Sequence, residues 1–220
     1  MDLDLGLTRK IIEECRRQGL LRNQTAYTLA TGYWESGRTM QPVREAFYIS
    51  HDEAKAEAWR RVHLRYWPFY GRGLVQITWP KNYQWGARET GLPLDAQPDL
   101  ALQPDVAVKL LVTGSREGQF TGKKLSDYIT LQHSDFVGAR RIINGTDKAA
   151  EIAAIARQYD AALKAIGYGG AVEVVEAVRP MPAPALQPAP PPPMPAPSPV
   201  AASGGWAAIL AAILSLFEKK

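Results

Sequence analysis

Cysteine is almost missing from this chain: among 220 residues only Cys15 carries a thiol. That excludes an internal disulfide framework, and a lone thiol on an apolar helix face reads as core, not as a nucleophile. Histidine is nearly as scarce. His51, His63 and His133 are scattered, without the spacing that gathers ligands round a metal. No metal and no cofactor are expected. The N-terminus, Met1-Asp2-Leu3-Asp4-Leu5-Gly6, lacks the apolar run of a secretory signal. Charge of one sign is also in short supply. The net charge is +4, with no dense Lys/Arg stripe, so a nucleic-acid partner is not expected. Moderate basicity still suits an anionic polymer or a membrane surface.

Apolar residues are plentiful at 46%, enough for a core outside the proline-rich part. The most informative stretch runs from Tyr66 to Tyr83. An aromatic cluster, Tyr66, Trp67, Phe69 and Tyr70, precedes two glycines, Gly71 and Gly73, that flank Arg72. Such glycines allow positive φ or close approach to another surface. Gln76 and Thr78 then alternate with Val75 and Ile77, which predicts a short strand with one buried face. Thr78 is placed to cap a helix beginning near Trp79–Pro80, with Asn82 one turn on. Aromatic rings beside hydroxyl and amide groups suit a sugar, which has apolar faces and a hydroxyl rim. A glycine-rich turn packed by core aromatics has the same composition.

Helices dominate the rest. Thr8 to about Gly19 reads as a helix capped by Thr8, with Ile11, Ile12 and Cys15 on its apolar face. Asn23 opens a second helix, which buries Ala26, Tyr27, Leu29, Ala30 and Tyr33 and stops at Gly37. Glu35 falls at its end, after Tyr33 and Trp34. A carboxyl held against aromatic rings loses hydration and its pKa rises, as a general acid near neutral pH requires; an exposed glutamate at a helix end is the plainer reading. Ser50-His51-Asp52-Glu53 makes a capping box for a helix to about Val62. Further helices are expected at Pro80–Thr90, after Pro98-Asp99 and Pro104-Asp105, around Leu125–Ile129, and from Asp147 to about Ile166. The last carries Ile152, Ile155, Tyr159 and Leu163 in one stripe. Val106–Val112 is apolar enough to be a central core helix.

Tyr70-Gly71-Arg72-Gly73, Gln76-Ile77-Thr78 and Asn82-Tyr83 together resemble, without a gap, the signature of family 19 glycoside hydrolases, the plant-type chitinases and many bacteriophage endolysins. The resemblance covers roughly Leu20 to Tyr168. It implies an all-α, lysozyme-like domain of two lobes with a central cleft and a small β element near residues 73–78. Trp34-Glu35-Ser36-Gly37 is similar to the segment holding the family's catalytic acid, with Trp34 in place of the usual histidine. The resemblance makes Glu35 the acid and Glu45, in Arg44-Glu45-Ala46-Phe47-Tyr48, the second carboxylate, unless Arg44 pairs with Glu45 structurally. Asp52 or Glu53 could compete for that role but read as helix-start residues. Thr78 would position water, and Tyr70, Gln76, Asn82 and Asn144 would hold sugar. Asn144 belongs to Arg140-Arg141-Ile142-Ile143-Asn144-Gly145, which resembles the far wall of the cleft; Gly145 would supply a sharp turn. Arg140 or Arg141 orients a carboxylate, or both are surface charge. The family inverts, so the carboxyls should stand about 6.5–9.5 Å apart.

The implied activity is an endolysin's: hydrolysis of β-1,4 bonds in peptidoglycan glycan strands, lysing the host cell. A chitinase on the same scaffold, or a wall- or membrane-binding module without catalysis, are the rivals. The expected organisation is a catalytic domain over 1–178, a Pro/Ala-rich spacer over 179–203 and an apolar helix over 204–220. The spacer is semi-rigid and extended. Val172–Val178 reads equally as strand or helix. Trp206–Phe217, as a helix, is about 18 Å long, too short for a hydrocarbon core of about 30 Å. Shallow contact with a bacterial membrane is the expectation for it, against docking on a protein. The chain would be made in the host cytoplasm and act on the wall, reached by another route.

Overall fold

The computed structural model describes residues 1–169. The expected spacer, the ambiguous Val172–Val178 and the apolar tail all lie outside the described residues. Within them the all-α expectation holds. Helices α1 (Thr8–Arg17), α2 (Arg22–Glu35), α3 (Glu53–His63), α4 (Pro80–Thr90), α5 (Pro104–Glu117) and α6 (Ala149–Ala165) are joined by short 3-10 turns at Pro98–Leu102, Leu125–Asp127 and Gly138–Ile142.

The β structure is a minimal antiparallel ladder of β1 (Val43–Arg44) and β2 (Arg72–Gly73), with Val43 opposite Gly73 and Arg44 opposite Arg72. The alternating strand expected at Val75–Thr78 does not form. Gln76 takes a φ of 53°, which breaks the extended backbone, and Leu74, Val75 and Ile77 are all buried. Only an isolated bridge, Arg72 to Ile77, survives there.

Three expected caps are also corrected. The residues preceding α1, α2 and α4 are Leu7, Leu21 and Trp79. Thr8 instead donates to the Leu5 carbonyl, Asn23 to the Thr130 carbonyl and Ser134, and Thr78 to the Gln76 carbonyl. Pro80 still occupies the first turn of α4, where its missing N–H costs nothing. Helix α3 starts at Asp52–Glu53 as expected, but not through a Ser50–Glu53 capping box: the Asp52 carboxylate is the cap and accepts from the amides of Ala54 and Lys55.

Two groups of elements carry the site. In the first, α2 lies against α6, α1 and α5. Both α2 and α5 are buried on nearly every side, α5 through Val106, Leu110, Leu111 and Val112, so its place is central. In the second, α3, the ladder and the 64–79 loop are tied by polar side chains. Helix α2 ends in a Schellman motif: the Arg38 amide donates to the Tyr33 carbonyl and the Gly37 amide to that of Trp34, with Gly37 at φ 62°. That stop fixes Glu35 as the last helical residue.

Candidate active site

Glu35 is 8% exposed, so it does not point into bulk solvent. Its surroundings differ from the apolar bed expected from Tyr33 and Trp34. Arg140, also buried, donates from Nη1 to Glu35 Oε1 at 2.6 Å. A carboxylate at a helix C-terminus meets the negative end of the helix dipole, and the guanidinium offsets that placement. Arg140 is itself held by donation from Nε to the Asp147 carbonyl at 3.1 Å. Of the two candidate arginines, which share the 3-10 turn Gly138–Ile142, Arg140 is turned inward and Arg141 is exposed. Oε2 of Glu35 accepts no hydrogen bond among the described residues.

Behind Glu35, Thr31 and Tyr27 continue the same line of α2 at four-residue spacing. Both hydroxyls are buried without a well-aligned hydrogen-bond partner. Burial raises the Tyr27 phenol pKa, against the opposing pull of Arg140. The Tyr27 ring lies parallel to Phe136 at 6.2 Å, joining α2 to the segment that carries Arg140. Read from sequence, Tyr27 was only an apolar-face residue.

Glu45 is 7% exposed and has both oxygens engaged. Oε1 accepts from the Tyr66 hydroxyl at 2.6 Å, and Oε2 from the Gly71 amide at 2.8 Å. Its backbone is fixed as well: the amide donates to the Gly71 carbonyl, and Arg60 Nε donates to its carbonyl at 2.6 Å. Arg44 does not pair with Glu45; it reaches Asp99 and Glu53. Asp52 is a helix cap and Glu53 a partner of Arg60. Burial and the hydrogen bond to Glu45 raise the Tyr66 pKa. A Cβ built at Gly37, just past Glu35, would stand 3.9 Å from the ring of Phe47, just past Glu45, so the segments bearing the two carboxylates are neighbours.

The two signature glycines do different work. Gly73 has a φ of 89°. Gly71 does not, but a Cβ there would stand 2.7 Å from Gln76 Oε1 and 3.2 Å from Glu45 Oε2. Between them Arg72 is a buried hub. It donates to Asp99, to the carbonyls of Pro68 and Tyr70 and to the Tyr83 hydroxyl, and lies 3.6 Å from the Tyr70 ring centroid.

The other expected site residues are largely occupied by scaffold. Tyr70 is 1% exposed; its hydroxyl donates to Glu57 at 2.6 Å and its ring lies between Arg60 and Arg72. Its ring and hydroxyl are thus taken up by contacts inside the protein. The Gln76 amide donates to the carbonyls of Val43 and Gly73. Asn82 donates to the Thr78 carbonyl and accepts from Gln119. Thr78 is buried. Asn144 is half-buried and its Oδ1 accepts from the Gly145 amide. Gly145 does not have positive φ, and a Cβ there would meet nothing within 4 Å, so the expected sharp turn is not what requires glycine.

Sequence reasoning missed Glu57 and Asp99. Glu57 accepts from Trp67 Nε1, the Tyr70 hydroxyl and Arg60. Partial burial works against its charge, but these three donors hold its pKa below the usual glutamate range. Asp99 receives Arg44 from β1 and Arg72 from β2 and so clamps the ladder.

No protein-family model matches the chain, and no curated protein does. Among solved structures it is similar to chitinase C from Streptomyces griseus, with a TM-score of 0.49 and 20% identity. That match covers 65% of this chain, which spans 60% of the length of the chitinase C chain. A mutant of chitinase C aligns with a TM-score of 0.42 and 21% identity over 64% of this chain and 73% of its own.

Proposed function

We propose that the chain is a glycoside hydrolase that cleaves β-1,4 bonds of peptidoglycan glycan strands, with the role of an endolysin. One observation carries the reading: two buried carboxylates, Glu35 and Glu45, stand on neighbouring segments, and each is held differently. Two carboxyls in unlike settings are the equipment of glycosidic hydrolysis. Glu35 has one oxygen anchored by Arg140 and one without a partner, which is the oxygen that would carry the proton to the leaving group. Glu45 receives a donor on each oxygen, the arrangement of an acceptor-only carboxylate that orients water or faces the developing positive charge. Thr78, Gln76, Asn82 and Asn144 shape the wall, and sugar contacts fall to whichever of their atoms are not bound to backbone.

The test is Glu35→Gln in the full chain. It should retain sedimentation with purified sacculi and lose reducing-end release by about 10²–10⁴-fold, the size of a general-acid contribution. Undiminished release would remove Glu35 from the role. Parallel turnover of soluble chitin oligosaccharides, faster than of peptidoglycan, would favour a chitinase instead.

A further inference from the structure

We propose that Arg61 and Arg65, laid over Trp67 and Trp79, form a shelf that binds the acidic stem-peptide groups of the glycan strand. This rests on the reading of the chain as a peptidoglycan hydrolase and assigns the part of the site that tells an acidic strand from a neutral one.

The last turn of α3 sends its arginines in opposite directions. Arg60 is 0% exposed and braces Glu45, whereas Arg61, and Arg65 just beyond the helix, are exposed. The Arg61 guanidinium lies 5.1 Å from the Trp67 ring centroid, and that of Arg65 lies 5.4 Å from the Trp79 ring centroid. Neither arginine has an ion-pair or hydrogen-bond partner among the described residues. Both indoles are 38% exposed. The nearby acid, Glu57, already accepts from Trp67, Tyr70 and Arg60. His63 is stacked on Trp59 at 4.4 Å and adds no negative charge, and exposed Lys81 follows Trp79 closely.

A guanidinium resting on an indole face is oriented by it while its N–H fork stays open. That fork matches a carboxylate. Backbone conformation supports a built feature. Trp79 holds its ring out from a φ of 74°, a region that non-glycine residues avoid unless their surroundings enforce it. The shelf is continuous with the candidate active site, because the Trp79 ring stands 4.9 Å from the Tyr66 ring and Tyr66 donates to Glu45. The anion it takes must therefore hang from the polymer held at Glu45. Peptide stems on a wall strand carry such carboxylates, and a chitin strand carries none.

The experiment compares the full chain with Arg61→Gln/Arg65→Gln on sacculi and on neutral chitin oligosaccharides. The double variant should raise KM on sacculi about tenfold, with kcat little changed, as expected for two solvent-screened charge contacts. The loss on sacculi should exceed that on the neutral oligosaccharide by the same factor, and Arg61→Lys/Arg65→Lys should recover part of it. Equal losses on both substrates, or no loss on sacculi, overturn the shelf. Sedimentation with sacculi in the Glu35→Gln background reads binding without turnover. Arginine-dependent sedimentation, with no reducing-end release from sacculi or oligosaccharide by the unsubstituted full chain, would sink the hydrolase reading and keep the shelf. Unchanged sedimentation, with arginine-dependent binding only to anionic vesicles or DNA, would sink the shelf.

Discussion

The two carboxylates are held by opposite strategies. Glu35 depends on one ion pair, reaching 105 residues along the chain to Arg140. Glu45 sits in a mesh: Tyr66, Gly71 and Arg60 hold it, Glu53 and Glu57 hold Arg60, and Asp99 and Tyr83 hold Arg72 beside them. A single link has no redundancy, so breaking it leaves a buried charge alone. A mesh spreads the loss over its neighbours.

That contrast orders the expected effects. The largest should come from Arg140→Met. Removing one partner of a buried pair costs about 3–5 kcal/mol, seen as a lower midpoint in urea unfolding together with near-complete loss of hydrolysis. A stability close to the parent's would mean that Glu35 finds another partner and that the contrast is false. Gly71→Ala comes next. The new methyl must push the Gln76 amide or the Glu45 carboxylate aside, for about 1–3 kcal/mol. The same measurement on Gly145→Ala should move little, since nothing lies near that position.

Tyr66→Phe removes one of two donors on Glu45 and should cost about 1 kcal/mol, the usual net worth of one hydrogen bond. If it matched Arg140→Met, the mesh would be as brittle as the single link. The smallest effect should be pH-dependent. Partial burial raises the Asp99 pKa, but hydrogen bonds from Arg44 and Arg72 outweigh it and hold the carboxyl below the ordinary range. The folded state then binds fewer protons than the unfolded state in that window. Asp99 therefore adds stability above the ordinary aspartate pKa of about 3.9, and the gain is lost as pH falls through the lowered value. Asp99→Asn should lower the neutral plateau of a stability-against-pH curve and so flatten its acid limb, because the contribution that is lost on acidification is then absent at every pH.

Much of this was legible before the coordinates. Apolar periodicity placed the helices, Gly37 stopped α2 where expected, and the end of α2 marked Glu35. The misreadings share a cause. Thr8, Asn23 and Thr78 are good caps by residue type, but each found a closer or more distant carbonyl. A cap is a competition among acceptors, and only the fold says which are near. The polar mesh was invisible for the same reason. Glu57, Arg60 and Asp99 are ordinary surface residues by sequence, and only the return of the 64–79 loop past α3 and the ladder makes them partners. Choosing Arg140 over Arg141 needed the contacts themselves, since Arg140 is held by Glu35 and the Asp147 carbonyl, partners that the sequence does not mark.

The reach from Glu35 to Arg140 also sets an order of events during synthesis. A ribosome-bound chain lacks the counter-charge for its first acid until nearly all of residues 1–169 have been made. On the proposed function, a copy ending before Arg140 would hold Glu35 without its counter-charge, and hydrolysis is expected only once the Arg140 segment has joined α2.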